Sequence, residues 1–205
     1  MNNEIKSMLK DAGIIVVITL IAGLVLGGVY QLTKEPIAEQ KRIKKQNACQ
    51  EVFAEAASFA ETDGFDADAA ALLLASEYPS QDIDEVMTAQ DASGNKLGYV
   101  LTVTTHEGYG GDIQFTMGIT NEGLLKGISL LSISETAGLG MRADEVLKPQ
   151  FTGKSAEKYE YTKTGAVTEN QIDAISGATI TTNAVVDGVN AGLYYFQNEL
   201  GGGAE

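Results

Sequence analysis

The sequence predicts an α+β protein: a single N-terminal transmembrane helix, then a mainly antiparallel sheet with flanking helices. Three observations carry this. Residues 12–30 read AGIIVVITLIAGLVLGGVY, nineteen positions without a charge. Between residues 86 and 134, short runs of alternating apolar and polar residues are separated by turn residues. On both sides of that region the apolar spacing changes to the three-and-four pattern of a helix.

At about 1.5 Å per residue the uncharged stretch is roughly 28 Å long, enough to cross a hydrocarbon core of about 30 Å. A cleaved signal peptide would have a shorter apolar core and a small-x-small site, and none precedes Lys34-Glu35-Pro36. An uncleaved anchor is therefore expected. Ile37, Ile43, Val52, Phe53 and Ala56 place a helix over 37–57, and the dense Leu72-Leu73-Leu74 places another over 67–78. Strands are expected over 86–90, 97–105, 112–120 and 125–134. Asp91-Ala92-Ser93-Gly94-Asn95 and Asn121-Glu122-Gly123 form their turns. Ile113, Phe115, Met117 and Ile119 share one face, so the sheet should have one covered side. Thr168-Glu169-Asn170-Gln171 has the form of a capping box and predicts a short helix. A last helix runs from about Thr182 to Leu200 on the stripe Val185, Val186, Val189, Leu193 and Phe196, and Gly201 ends it.

Composition narrows the chemistry. The 205 residues carry a net charge of −14, which argues against a general nucleic-acid binder. One cysteine, Cys49, excludes an internal disulfide framework, a cysteine-ligated cluster and a CxxC pair. One histidine, His106, excludes a multi-histidine metal site within the chain, so no metal site is expected. Redox chemistry would need an organic cofactor. Residues 1–45 hold seven basic and four acidic side chains, and the other 160 hold seven basic and 24 acidic. This division suggests two environments. It does not settle which side of the membrane the large domain occupies, because long domains translocate largely regardless of charge.

The segment most suggestive of chemistry is Asp173-Ala174-Ile175-Ser176-Gly177-Ala178-Thr179-Ile180-Thr181-Thr182. Small residues at 176–178 permit close backbone approach to a bulky group. Four hydroxyls, at 176, 179, 181 and 182, fall just ahead of a helix whose free N–H groups suit a phosphate. Ser and Thr are also ordinary helix caps, and local physics alone leaves both readings open.

Asp173 to Thr179 matches the D-x-x-[ST]-G-A-T pattern of FMN-binding domains modified by a dedicated flavin transferase. Ser134-Glu135-Thr136-Ala137-Gly138-Leu139-Gly140 resembles the E-T-P-G-L-G signature of the Rnf complex G subunits and the related C subunits of the sodium-pumping NADH:quinone reductase. Ala137 stands where that family usually has proline, at some expense of loop rigidity. Gly108-Tyr109-Gly110-Gly111-Asp112-Ile113 is similar to the family's glycine-rich turn into a central strand. The resemblance covers roughly residues 85–190, and the chain's length favours the G-subunit branch.

The resemblance implies covalent FMN in phosphoester linkage to Thr179, with Asp173, Ser176, Gly177 and Ala178 as the flavinylation motif. It implies flavin contacts from Glu135, Thr136, Gly138, Leu139, Ser176, Gly177, Ala178 and Thr182, and no catalytic residue in the usual sense. The organisation expected is a short cytoplasmic N-terminus over 1–11, a transmembrane helix over 12–32, a membrane-proximal helix over 33–60 and an FMN-binding domain over 61–205. That domain would face away from the cytoplasm. The implied function is electron relay through FMN within an ion-translocating ferredoxin:NAD oxidoreductase. The partners would be the other Rnf subunits, the membrane and a flavin transferase, with no nucleic acid. The complex, rather than this chain alone, would be the enzyme. Alternatives are a C-subunit-like or other flavinylated carrier, an anchored non-redox scaffold, and a self-sufficient flavin reductase.

Overall fold

The computed structural model describes residues 3–201. The first two residues of the N-terminal segment and the glycine tail from 202 lie outside the described residues. The chain divides into two compact units, 1–44 and 45–205. Helix α1, Asn3–Val52, supplies the whole described part of the first unit and the opening turns of the second. Within the first unit, the apolar side chains from Ile14 to Leu32 are exposed on every face of the helix. This is the composition of a helix that crosses a membrane, and α1 is long and apolar enough to do so. Pro36 lies inside the helix.

The second unit is built on a five-stranded sheet in sequence order. Its strands are β1 (Ser58–Glu61), β2 (Gln81–Gln90), β3 (Lys96–Thr105), β4 (Ile113–Thr120) and β5 (Leu125–Ser132), and every neighbouring pair is antiparallel. The β2–β3 turn closes on Asp91, whose carboxylate accepts from the Ser93 and Asn95 amides, both at 2.8 Å. Gly94 there has φ +81°, which a residue without Cβ adopts without strain. Helix α2, Ala67–Leu74, lies between β1 and β2. Strand β2 begins five residues before the expected start, so Asp82, Asp84 and Glu85 are strand residues.

One face of the sheet packs on α4, Thr179–Glu199. Leu101, Val103, Phe115, Met117 and Ile119 from the sheet and Val185, Val189, Leu193 and Phe196 from the helix form the main core. Gly188 and Gly192 allow the close approach: a Cβ there would sit 2.9 Å from the Phe115 ring and 2.2 Å from the Met117 sulfur. Gly201, with φ +85°, follows the helix as expected from the sequence.

The opposite face is covered too, which the simple alternation did not anticipate. Cys49, Val52, Phe53 and Ala56 pack on Ala89 and Val100. Gly98 and Gly118 make room, since a Cβ at either would meet the Phe53 ring at 2.9 or 3.1 Å. A central strand buried on both faces shows no clean alternation, and β3 is buried from Gly98 through Thr105.

The capping-box helix expected at 168–171 does not form. Thr168 bonds Asn170 through side chains, and Gln171–Asp173 is strand β7, parallel to β6 (Glu160–Thr162). Its pairing with β6 satisfies backbone groups that a helix would have satisfied internally. A short 3-10 turn, Gly140–Arg142, helix α3 (Ala143–Val146) and a second 3-10 turn, Lys148–Phe151, connect β5 to this small sheet.

Candidate functional site

The β-sheet register sets the site. Thr105 pairs with Ile113, and Gln114 pairs with Ser132. The end of β3, the start of β4 and the end of β5 therefore lie at one end of the sheet. Two loops leave from there, 106–112 and 133–139, and both carry motif glycines.

The third wall is the start of α4. Asp173 ends β7, with its backbone held on both sides by Gln150: the Asp173 amide donates to Oε1 at 2.7 Å, and Gln150 Nε2 donates to the Asp173 carbonyl at 3.1 Å. The exposed Asp173 carboxylate accepts from the Ala166 amide at 2.6 Å. Ile175 is buried, anchoring the segment. Ser176 and Gly177 then turn the chain, and Gly177 has φ +79°. Ala178 is the N-cap and Thr179 the first helical residue, so α4 begins three residues earlier than the apolar stripe alone indicates.

These walls enclose a cleft of about 520 Å³, within the roughly 300–1,000 Å³ usual for ligand sites. Of the residues singled out from sequence, Glu135, Thr136, Leu139, Gly177, Ala178 and Thr179 line it. Gly138, Ser176 and Asp173 lie on the same loops but are not part of the lining. Thr182 is fully buried behind it: its hydroxyl donates to the Ala178 carbonyl at 2.9 Å and accepts the Ile175 amide at 3.1 Å.

Four lining residues escaped the residue-by-residue reading: Tyr109, Gly140, Ile180 and Thr181. Tyr109 and Gly140 sit inside quoted motifs, so their signal was present as sequence. Ile180 and Thr181 lie inside the quoted 173–182 segment, but the bond that sets Thr181's role is to a residue 46 positions away. The Thr181 hydroxyl donates to Glu135 Oε2 at 2.7 Å in a buried bond. Glu135 Oε1 accepts the Gly110 amide at 3.0 Å.

The four hydroxyls of the 176–182 segment thus differ. Those of Thr181 and Thr182 are engaged inside the protein, and Ser176 is exposed away from the cleft. Thr179 lines the cleft, is half-buried, and its hydroxyl has no hydrogen-bond partner among the described residues. The first N–H groups of α4 have no side-chain cap. The cleft also presents apolar surface from Tyr109, Leu139 and Ile180, which are 71%, 40% and 54% exposed. A group with a phosphate at one end and a flat apolar ring system at the other fits this donor set.

His106 stands at the base of the 106–112 loop. Its two ring nitrogens face Asp112 and Asp82, each at 2.9 Å. The bonds to Asp82 and Asp112 favour the imidazolium and raise its pKa above the ordinary 6.5.

Residues 108–194 match the FMN-binding domain family, and residues 1–52 match the RnfG N-terminal region. The G subunit of the Na(+)-translocating ferredoxin:NAD(+) oxidoreductase complex of Acetobacterium woodii is 34% identical over 195 residues, covering 94% of this chain and 93% of that protein. Its counterpart in the proton-translocating complex of Clostridium ljungdahlii is 30% identical over 203 residues, covering 98% and 96%. The crystal structure of Shewanella oneidensis NqrC aligns over 57% of this chain and 58% of that one, at 22% identity and a TM-score of 0.46. Identity at this level along almost the whole length places the chain in the G-subunit family of the ion-translocating ferredoxin:NAD(+) oxidoreductase complexes.

Proposed function

We propose that this protein is a membrane-anchored electron carrier that holds FMN covalently on Thr179 and relays electrons within an ion-translocating ferredoxin:NAD oxidoreductase complex. One observation carries the reading: within the motif segment, only the Thr179 hydroxyl both lines the cleft and lacks a protein hydrogen bond. Thr181 and Thr182 are only 1% and 0% exposed, so their hydroxyls are closed to an incoming group.

Attachment would proceed by transfer from FAD, catalysed by a flavin transferase. The Thr179 Oγ–phosphorus bond forms, the pyrophosphate bond of FAD breaks, AMP leaves, and the hydroxyl proton passes to a base on the transferase. Asp173, exposed at the end of β7, suits recognition by that enzyme. When bound, FMN supplies electron transfer between neighbouring redox centres. The chain's own part is to hold it. The uncapped start of α4 would face the phosphate, Gly177 and Ala178 would give the backbone close access, and Leu139, Ile180 and Tyr109 would limit water around the ring. Residues 12–32 would cross the bilayer, 33–60 would lead from it, and 61–205 would form the FMN domain on the extracytoplasmic side, next to the other subunits.

Intact-mass analysis of the native protein tests this. A mass increase of one FMN moiety is expected, with in-gel flavin fluorescence after denaturation. Thr179→Val should abolish both, while Thr181→Val and Thr182→Val should keep the mass increase. Attachment surviving Thr179→Val would overturn the reading.

A further inference from the structure

Glu135 is the only charged side chain that is buried among the described residues, at 8% exposure. Burying a carboxylate is costly unless both oxygens are met. Here they are met by neutral donors from two different walls of the cleft rather than by a cation. Oε1 takes the amide of Gly110 in the 106–112 loop, and Oε2 takes the hydroxyl of Thr181 in the first turn of α4. Glu135 itself lies on the 133–139 loop, the remaining wall.

The glycines around it have the same logic. A Cβ on Gly140 would lie 2.5 Å from Thr181 Oγ1 and 2.7 Å from Glu135 Oε2. A Cβ on Gly108 would lie 2.8 Å from Glu135 Oε1, and one on Gly110 would lie 2.1 Å from the Ser134 carbonyl. Gly108 and Gly140, one from each motif, leave room for the same carboxylate. Each oxygen has a partner inside the protein, while Glu135 also lines the cleft.

Resting on the flavin reading of the cleft, we propose that Glu135 is a positioning residue: its carboxylate ties the 106–112 loop to the first turn of α4, fixing Tyr109 and Thr179 relative to each other. It acts on a bound flavin through these walls and through hydrogen bonding rather than through its charge. The chemistry separates the two possibilities. In Glu135→Gln the amide oxygen can keep the Gly110 bond while Nε2 donates to Thr181, whose hydroxyl rotates to accept. Glu135→Ala leaves the Gly110 amide without a partner.

The test uses the full chain in detergent, produced with and without a flavin transferase. In the unflavinylated protein, hydrogen exchange of the peptide over 107–112 should rise roughly tenfold in Glu135→Ala and stay near wild type in Glu135→Gln. In the flavinylated protein, the visible circular dichroism of the flavin should weaken in Glu135→Ala and in Thr181→Val and be retained in Glu135→Gln. The Glu135→Ala/Thr181→Val pair should be no worse than Glu135→Ala, because both remove one brace. If Glu135→Ala does not fold, Thr181→Val and Glu135→Gln carry the same contrast. Wild-type exchange and dichroism in Glu135→Ala would overturn the proposal, and so would a Gln variant that behaves like Ala. If the wild type takes up no flavin, the flavin reading fails, while the exchange measurement still decides the brace.

Discussion

Helices α2 and α4 begin in opposite ways. At α2 the N-cap is Asp66, whose carboxylate accepts from the Asp68 amide at 2.9 Å and the Ala69 amide at 3.4 Å. The helix end is sealed by its own sequence, and eight residues suffice to carry it. At α4 the N-cap is Ala178, which has no side-chain acceptor, although the helix runs 21 residues and anchors the main core. A long, well-packed helix tolerates an open start that a short one does not, because tertiary burial supplies its stability. The difference teaches where a ligand belongs. An uncapped, partly enclosed helix start with small residues before it leaves N–H groups and the positive end of the helix dipole available to an anion.

Closing the open start should have the largest effect. Ala178→Asp places a carboxylate at the cleft end of α4, where a phosphate would lie, and should reduce flavin incorporation to background on intact-mass analysis. Far-ultraviolet circular dichroism checks that the variant still folds. Next is Gly140→Ala, whose methyl group would press on Thr181 and Glu135. Overpacking of this kind costs about 1–3 kcal/mol in denaturant unfolding, and flavin loading should fall with it. Opening the sealed start, by Asp66→Ala, should cost about 1 kcal/mol and leave flavin loading unchanged. If Asp66→Ala impaired loading, the contrast between the two helix starts would lose its functional meaning.

The smallest effect concerns His106, which fastens the loop opposite the open start. Its folded-state pKa lies above the ordinary value, through bonds to Asp82 and Asp112. Its contribution to stability is therefore complete below about pH 6.5 and is lost as pH rises through the raised folded value. The stability gap between wild type and His106→Gln should be widest in mild acid and close as pH rises through the raised folded value. Both partners are solvent-exposed, so the gap should stay within about 0.2–1 kcal/mol. A gap that grows with pH would contradict the geometry.

How far the sequence could be read depended on the range of the interaction. The β2–β3 and β4–β5 hairpins were legible because the Asp91–Asn95 and Asn121–Gly123 turns are local. Gly201 was legible for the same reason. The Thr168 capping box misled, since the same local pattern also suits a turn, and pairing with β6 decided between them. The second covered face was invisible because it needs Phe53 to meet Gly98 and Gly118 across 45 or more positions.

By itself, the sequence determined the uncharged span, the strand-rich middle, the glycine-bearing loops and the small-residue turn at 176–178, since each is written in neighbouring residues. Tertiary structure alone decided which hydroxyl stays free. Thr179, Thr181 and Thr182 are near-equivalent as a string. They separate only when Glu135 is carried by β5 to within a hydrogen bond of Thr181 and the Ile175 turn folds back on Thr182. A hydroxyl's availability is a property of what surrounds it, and only folding brings those surroundings together.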